Sequence, residues 1–62
     1  LTARELDVLE ASAEGLSNTQ IADSLYVSEA TVKTHLSHIY TKLGVTSRSA
    51  AVARARDIGL IR

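Results

Sequence analysis

The sequence predicts an all-α domain of four helices, with approximate bounds 3–14, 18–25, 29–43 and 48–58. Each predicted helix follows a serine or threonine, whose side chain can cap the exposed backbone N–H groups at a helix start. The three glycines fall where helices should end, and the chain has no proline. Apolar residues recur at spacings of three and four, which is typical of one helix face and not of a strand.

The first two helices are predicted from capping boxes. Thr2 is followed three residues later by Glu5, so that each side chain can bind an exposed backbone N–H of the other residue. Gly15 ends the first helix because glycine takes the left-handed conformation at low cost. Ser17 and Gln20 repeat the capping pattern at the start of a short second helix.

The third helix has two chemically distinct faces. Ser28 caps it and Gly44 ends it. The residues at spacings of four, three and four form a predicted core face: Val32, Leu36, Ile39 and Leu43. The opposite face carries no large apolar side chain, and its members are Ala30, Lys33, Thr34, Ser37 and Thr41. Short hydroxyls beside a lysine suit close approach to base edges in DNA.

The fourth helix is rich in alanine, begins after Ser47 and ends before Gly59. It has more small apolar surface than one core face needs, and small residues allow a second helix to approach closely. We therefore expect dimerisation through this helix on DNA, with a weak or absent dimer in solution. In the alternative interpretation, some of these residues are core and the remaining alanines only raise helix propensity. The core set would then be Ala51, Val52, Ala55 and Ile58.

Charge is unevenly distributed, although the formal net charge of the 62 residues is zero. Residues 1–31 carry one basic and six acidic side chains, and residues 32–62 carry six basic and one acidic. This polarity favours nucleic-acid binding by one side of the molecule, and it also fits docking between proteins.

The composition argues against several other classes of protein. The chain has no cysteine, so it has no disulfide and no thiolate metal site. His35 and His38 lie three residues apart, but no suitably spaced carboxylate completes a metal site with them. No serine is placed beside a base and an orienting carboxylate, so we expect neither an enzyme nor a bound cofactor or small molecule. No apolar run approaches the roughly 20 residues of a membrane span, and the composition fits a reducing cytoplasm.

The second and third helices fit a helix-turn-helix window that begins at Asn18. Its fifth place holds the small Ala22, which lets the helices approach, and its fifteenth holds the β-branched Val32. The ninth place, where glycine is common, holds Tyr26. This residue predicts either a turn without a left-handed residue or local strain.

Together these features closely resemble the LuxR/NarL-type (GerE-type) output domain of bacterial transcription regulators, over the whole chain. Arg48 and the Ala51-Val52 pair also match in spacing. The resemblance implies a single domain, residues 1–62, taken from the C-terminal part of a longer cytoplasmic, nucleoid-associated regulator such as a response regulator. The main motifs are Leu1-Thr2-Ala3-Arg4-Glu5, Gly15-Leu16-Ser17-Asn18-Thr19-Gln20-Ile21-Ala22, Ser28-Glu29-Ala30-Thr31-Val32-Lys33-Thr34-His35 and Lys42-Leu43-Gly44-Val45.

The resemblance also implies sequence-specific binding of double-stranded DNA by a dimer on an inverted repeat, with helix 29–43 in the major groove. The positions that match base-contacting residues of the family are Lys33, Thr34 and Ser37. Those that match phosphate-binding residues are Ser17, Asn18, Thr19, Thr31, His35 and Lys42. Those expected at the dimer interface on helix four are Ala50, Ala53, Arg54 and Asp57. A helix N-terminus offers free N–H groups to a phosphate, which helps to explain the modest net charge.

Other interpretations stay open at this point. Lys33 could be an ordinary solvated lysine, and Arg48, Arg54 and Arg56 either bind DNA or only keep an alanine-rich helix soluble. A sigma-factor promoter-reading domain shares a similar core, but the fourth helix and the opening motif argue against it. A protein-interaction or dimerisation module without DNA binding is the alternative from a different class. Binding to random-sequence duplex at low salt separates that module from a DNA-binding domain.

Overall fold

The computed structural model describes all residues, 1–62, and confirms four helices joined by short connections. The helices are α1 (Ala3–Ala13), α2 (Asn18–Leu25), α3 (Glu29–Leu43) and α4 (Arg48–Asp57). The first and fourth each end one residue earlier than predicted, because Glu14 and Ile58 are the C-caps that precede a glycine. Gly15 and Gly59 have φ of 87° and 78°, the left-handed conformation that stops a helix.

All four predicted N-caps are confirmed. The side chains of Thr2, Ser17, Ser28 and Ser47 each accept a hydrogen bond from the backbone N–H three residues later. Both predicted capping boxes are complete: the Thr2 N–H donates to Glu5 Oε1 at 2.9 Å, and the Ser17 N–H donates to Gln20 Oε1 at 2.8 Å. These reciprocal bonds define where α1 and α2 begin.

The core surrounds α3, which packs against each of the other three helices. The largest fully buried side chains are Val8, Leu9, Ile21, Val32 and Ile39. Of the predicted core stripe of α3, Val32, Leu36 and Ile39 are buried, and Leu43 is half-buried against them. With its apolar face held on three sides, α3 turns its opposite face to solvent.

Helix α4 contributes small side chains to the core. Ala51 and Ala55 are buried and Val52 is half-buried, whereas Ile58 is exposed. The alternative interpretation that included Ile58 in the core is therefore wrong at that position. The reason is local: Ile58 lies at the C-cap, where the helix has already ended.

The turn between α2 and α3 has a left-handed residue that is not glycine. Tyr26 has φ 58° and ψ 42°, and its side chain is 95% exposed. The expectation of a turn without a left-handed residue is therefore wrong, and the alternative, local strain, applies because a Cβ atom in this conformation costs about 1–2 kcal/mol. The turn is held by the Val27 N–H, which donates to the Ala22 carbonyl at 3.0 Å.

A buried carboxylate joins α1 to α3. The side chain of Glu5 is almost fully buried, and its Oε1 accepts from both the Thr2 N–H and the Lys42 ammonium, the latter at 2.7 Å. His38 Nδ1 lies 3.6 Å from Glu5 Oε2. The Lys42 hydrogen bond, followed by that from the Thr2 backbone, lowers the pKa of Glu5 from 4.5 to about 2 despite its burial.

Replacement of Glu5 by glutamine is expected to destabilise the domain by about 2 kcal/mol at pH 7. The lowered pKa alone corresponds to about 3 kcal/mol, and screening at the half-exposed Lys42 ammonium reduces that figure. A carboxylate with a lowered pKa stabilises the fold fully above about pH 4.5, and this stability is lost as the pH falls through about 2. Urea unfolding followed by circular dichroism at pH 7 and pH 2.5 should therefore show a difference that shrinks in acid.

The exposed Glu10, on the same helix, supplies the control for this experiment. Its replacement by glutamine should change the free energy of unfolding by less than about 0.5 kcal/mol. A Glu5→Gln difference that is equally large at both pH values would contradict the assigned role of the ion pair.

Candidate nucleic-acid interface

The solvent face of α3 presents the three side chains that the sequence analysis expected at base edges. Lys33, Thr34 and Ser37 are all exposed. None of the three ion pairs in the structure involves Lys33, so its ammonium is available to a ligand. The face is therefore a cation flanked by short polar groups.

The threonine hydroxyls on this face bond within the helix. Thr34 Oγ1 donates to the Ala30 carbonyl at 3.0 Å, and Thr41 Oγ1 donates to the Ser37 carbonyl at 3.1 Å. Because its only hydroxyl hydrogen is used, Thr34 offers a ligand its oxygen lone pairs and its methyl group. Such a side chain suits a base amino group or the methyl group of thymine.

The start of α2 provides a second set of donors. The N–H of Gln20 is used by the Ser17 side chain, and the N–H of Ile21 by the Ser17 carbonyl. The N–H groups of Asn18 and Thr19, in the first turn, make no hydrogen bond in the structure. Unpaired N–H groups at the positive end of a helix are suited in chemistry to an anion such as phosphate.

One hydrogen bond ties the start of α2 to the start of α3. The Thr19 hydroxyl donates to the Glu29 carboxylate, and the contact is short. It occupies the acidic group at the beginning of α3, and Thr19 keeps its free backbone N–H. The α2 N-terminus and the α3 face are thereby held in a fixed relation.

The remaining positions expected at phosphates differ in their surroundings. Thr31 and His35 are half-buried, and Thr31 Oγ1 lies 3.0 Å from the Ser28 hydroxyl. Lys42 lies at the opposite end of α3 and holds Glu5, but its side chain is 46% exposed. An ammonium has three N–H donors, so the bond to Glu5 leaves two of them for another acceptor.

Arg48 has a role that sequence reasoning did not identify. Its Nη1 donates to the Leu16 carbonyl at 2.6 Å, and its Nη2 donates to Asn18 Oδ1. The side chain therefore joins the first residue of α4 to the turn before α2. The only signal in the sequence was the match of Arg48 to the family spacing, which gives no contact partner.

The four α4 positions expected at a dimer interface are mostly open. Ala53, Arg54 and Asp57 are exposed, and Ala50 is half-buried. Positions 50, 53, 54 and 57 are three or four apart in sequence, so they follow one side of the helix. This side is distinct from the buried side formed by Ala51 and Ala55.

The domain has neither a metal-binding cluster nor a membrane-spanning helix. The histidine, aspartate and glutamate side chains form no group of three or more that could hold a metal ion. None of the four helices has the length and apolar character required to cross a bilayer.

Comparison with protein families gives one match over most of the chain. The profile described as bacterial regulatory proteins, luxR family, matches residues 1–55. Among curated proteins, the nitrate/nitrite response regulator protein NarP of Escherichia coli is 59% identical over 51 residues, which are 82% of this chain and 24% of NarP. The chain spans between 7% and 26% of the length of curated relatives that it matches.

Two solved structures share the fold. The response regulator ChrA of a heme-sensing two-component system superimposes with a TM-score of 0.96 and 57% identity, over 98% of this chain and 30% of ChrA. The transcription factor GerE superimposes with a TM-score of 0.94 and 34% identity, over 100% of this chain and 92% of GerE. The predicted four-helix architecture thus matches that of known helix-turn-helix transcription factors.

Proposed function

We propose, from the premise that this chain belongs to the luxR family of bacterial regulatory proteins, that it binds double-stranded DNA sequence-specifically with α3 in the major groove. The family membership makes it a non-enzymatic helix-turn-helix DNA-binding domain of transcription regulators.

The observation that carries the proposal is the exposed face of α3. Lys33 has no partner within the protein and is flanked by the short side chains of Thr34 and Ser37. An α-helix fits the major groove, where a lysine can donate to the acceptors N7 and O6 of guanine. We assign these three side chains to base edges.

We assign the phosphate contacts to residues that border this face, at the start of α2 and along α3. The free N–H groups of Asn18 and Thr19 at the start of α2 suit one phosphate, and we place the Ser17 side chain beside them. Thr31, His35 and Lys42 are assigned to the backbone along α3, which the resemblance to the family supports. A grip that uses N–H groups in place of many cations is compatible with zero net charge.

We further propose that two copies bind an inverted repeat and meet through α4. The small Ala53, together with the oppositely charged Arg54 and Asp57, is exposed along one side of this helix. In a two-fold contact each arginine can meet the aspartate of the other copy, because an isologous interface pairs unlike residues reciprocally. We place this activity in the bacterial cytoplasm, at the nucleoid.

Selection of bound duplexes from a random pool tests this function. We expect enrichment of a motif with two-fold symmetry, because a symmetric dimer requires two half-sites of opposite orientation. The selected duplex should bind more weakly as salt rises, since phosphate contacts release counterions. A pool that shows no enrichment while the protein stays folded would contradict sequence-specific binding. Enrichment of a single, unsymmetrical half-site would contradict the dimer alone.

A further inference from the structure

The contact between Arg48 and Asn18 connects α4, the proposed dimer helix, to α2, the proposed phosphate-binding helix. Arg48 is the first residue of α4, and Asn18 is the first residue of α2. Arg48 is half-buried, and its guanidinium holds the Leu16 carbonyl and the Asn18 amide oxygen with two different nitrogens. A lysine could not reproduce this geometry, because it carries one nitrogen where the planar guanidinium places two separate nitrogens on the two acceptors.

The chemistry of the guanidinium determines which way the Asn18 amide faces. A guanidinium has only donors, so only the amide oxygen of Asn18 can be turned toward it. The amide nitrogen, with its two hydrogens, is therefore directed away from Arg48. No side-chain hydrogen bond in the structure uses this nitrogen. The backbone N–H groups of Asn18 and Thr19, in the first turn of α2, make no hydrogen bond either.

We infer that Arg48 is a positioning residue for DNA binding, which acts by orienting the Asn18 amide so that its N–H donors face a DNA phosphate. A phosphate oxygen only accepts hydrogen bonds, so an amide in the opposite orientation would present oxygen to oxygen. With Arg48 in place, Asn18 and Thr19 present donors to the phosphate and no acceptor from the amide. This inference rests on the proposed function, since it needs the α2 N-terminus to lie on the DNA backbone.

A double-mutant cycle tests the inference. The dissociation constant for a selected duplex is measured for the wild type, Asn18→Ala, Arg48→Ala and the double variant, at a temperature where all are folded. We expect each single variant to bind about tenfold more weakly, which is typical for loss of one charge-assisted hydrogen bond. The double variant should bind no more than about twofold more weakly than Asn18→Ala, because Arg48 acts through Asn18.

Further variants separate positioning from charge and from fold stability. Arg48→Lys keeps the charge but not the two-point contact, so it should bind nearly as weakly as Arg48→Ala; it also replaces Arg48→Ala in the cycle if that variant does not fold. Arg56→Ala removes an arginine of α4 whose side chain hydrogen-bonds only to the Arg62 carbonyl, and this variant should bind DNA like the wild type. Urea unfolding of each variant shows that a change in stability alone does not produce the coupling.

Several results would overturn the inference. They are single losses that multiply in the double variant, full affinity in Arg48→Lys, or unchanged affinity in either single variant. In all of these cases the wild type still binds its selected duplex, so the proposed function survives. A wild type that binds no duplex would instead overturn the proposed function, and the inference would fall with it.

Discussion

Replacement of Ile39 by alanine is expected to lower the free energy of unfolding by about 2–5 kcal/mol, the range for large-to-small changes at buried positions. Ile39 is fully buried in the middle of α3, the helix that contacts all three others. A domain of this size has about 3–9 kcal/mol of stability in total, so the loss is a large fraction of it and the variant should unfold at a much lower urea concentration. Urea unfolding followed by circular dichroism measures the loss.

Thr41→Ala is a matched control for this prediction, because Thr41 is an exposed residue of the same helix whose hydroxyl bonds only to the Ser37 carbonyl. It should change stability by less than about 0.5 kcal/mol. A saturating specific duplex should partly restore the stability lost in Ile39→Ala, since a ligand that binds only the native state stabilises it. An Ile39→Ala variant as stable as the control would show that α3 is not the central helix of the core.

The helices of this domain were predictable because their signals are local. A capping box involves residues three apart, and an α-helical stripe repeats every three or four residues, so both can be recognised without tertiary structure. Thr2 with Glu5, and Ser17 with Gln20, form the reciprocal bonds that the pattern predicted. The errors at the ends of α1 and α4 are of one residue, where the cap before a glycine still has near-helical dihedral angles.

The contacts that connect the helices could not be predicted in this way. Lys42 is separated from Glu5 by 37 residues, and Arg48 from Asn18 by 30. Neither pair follows from a helical or strand period. Glu5 already had a local explanation as a capping-box residue, and Lys42 and Arg48 could be surface cations. The left-handed conformation of Tyr26 was likewise only one of two alternatives in the sequence analysis. The hydrogen bonds to α2 that hold this strained turn are visible only in the structure.

Contacts between helices border the candidate interface on several sides. The hydrogen bond to Glu5 connects the C-terminal end of α3 to α1, and the hydrogen bond from Thr19 connects the N-terminal end of α3 to α2. The hydrogen bond from Arg48 connects α4 to α2. The face of α3 between these ties is free of internal partners apart from helix-internal hydroxyl bonds. Connected helices around a polar face without internal partners should lose less conformational entropy on binding DNA than unconnected ones would.

The largest effect on DNA binding without a loss of stability is expected for Lys33→Ala. Lys33 is exposed and has no ion-pair partner, and alanine is a good helix former, so the free energy of unfolding should change by less than about 0.5 kcal/mol. Binding to the selected duplex should weaken by about 1–3 kcal/mol if the ammonium bonds to a base.

The salt dependence of binding shows how Lys33 acts. A base contact should be lost mainly on the selected duplex, while random-sequence DNA is bound almost as before, and the slope of log affinity against log salt should change little. A phosphate contact should weaken both duplexes alike and reduce the slope by about one. Arg4→Ala removes an exposed cation that is paired with Asp7 on α1. This variant should bind both duplexes with unchanged affinity. Unchanged affinity and unchanged slope in Lys33→Ala would remove this lysine from the interface, and with it the principal cation of the face by which α3 is proposed to read DNA.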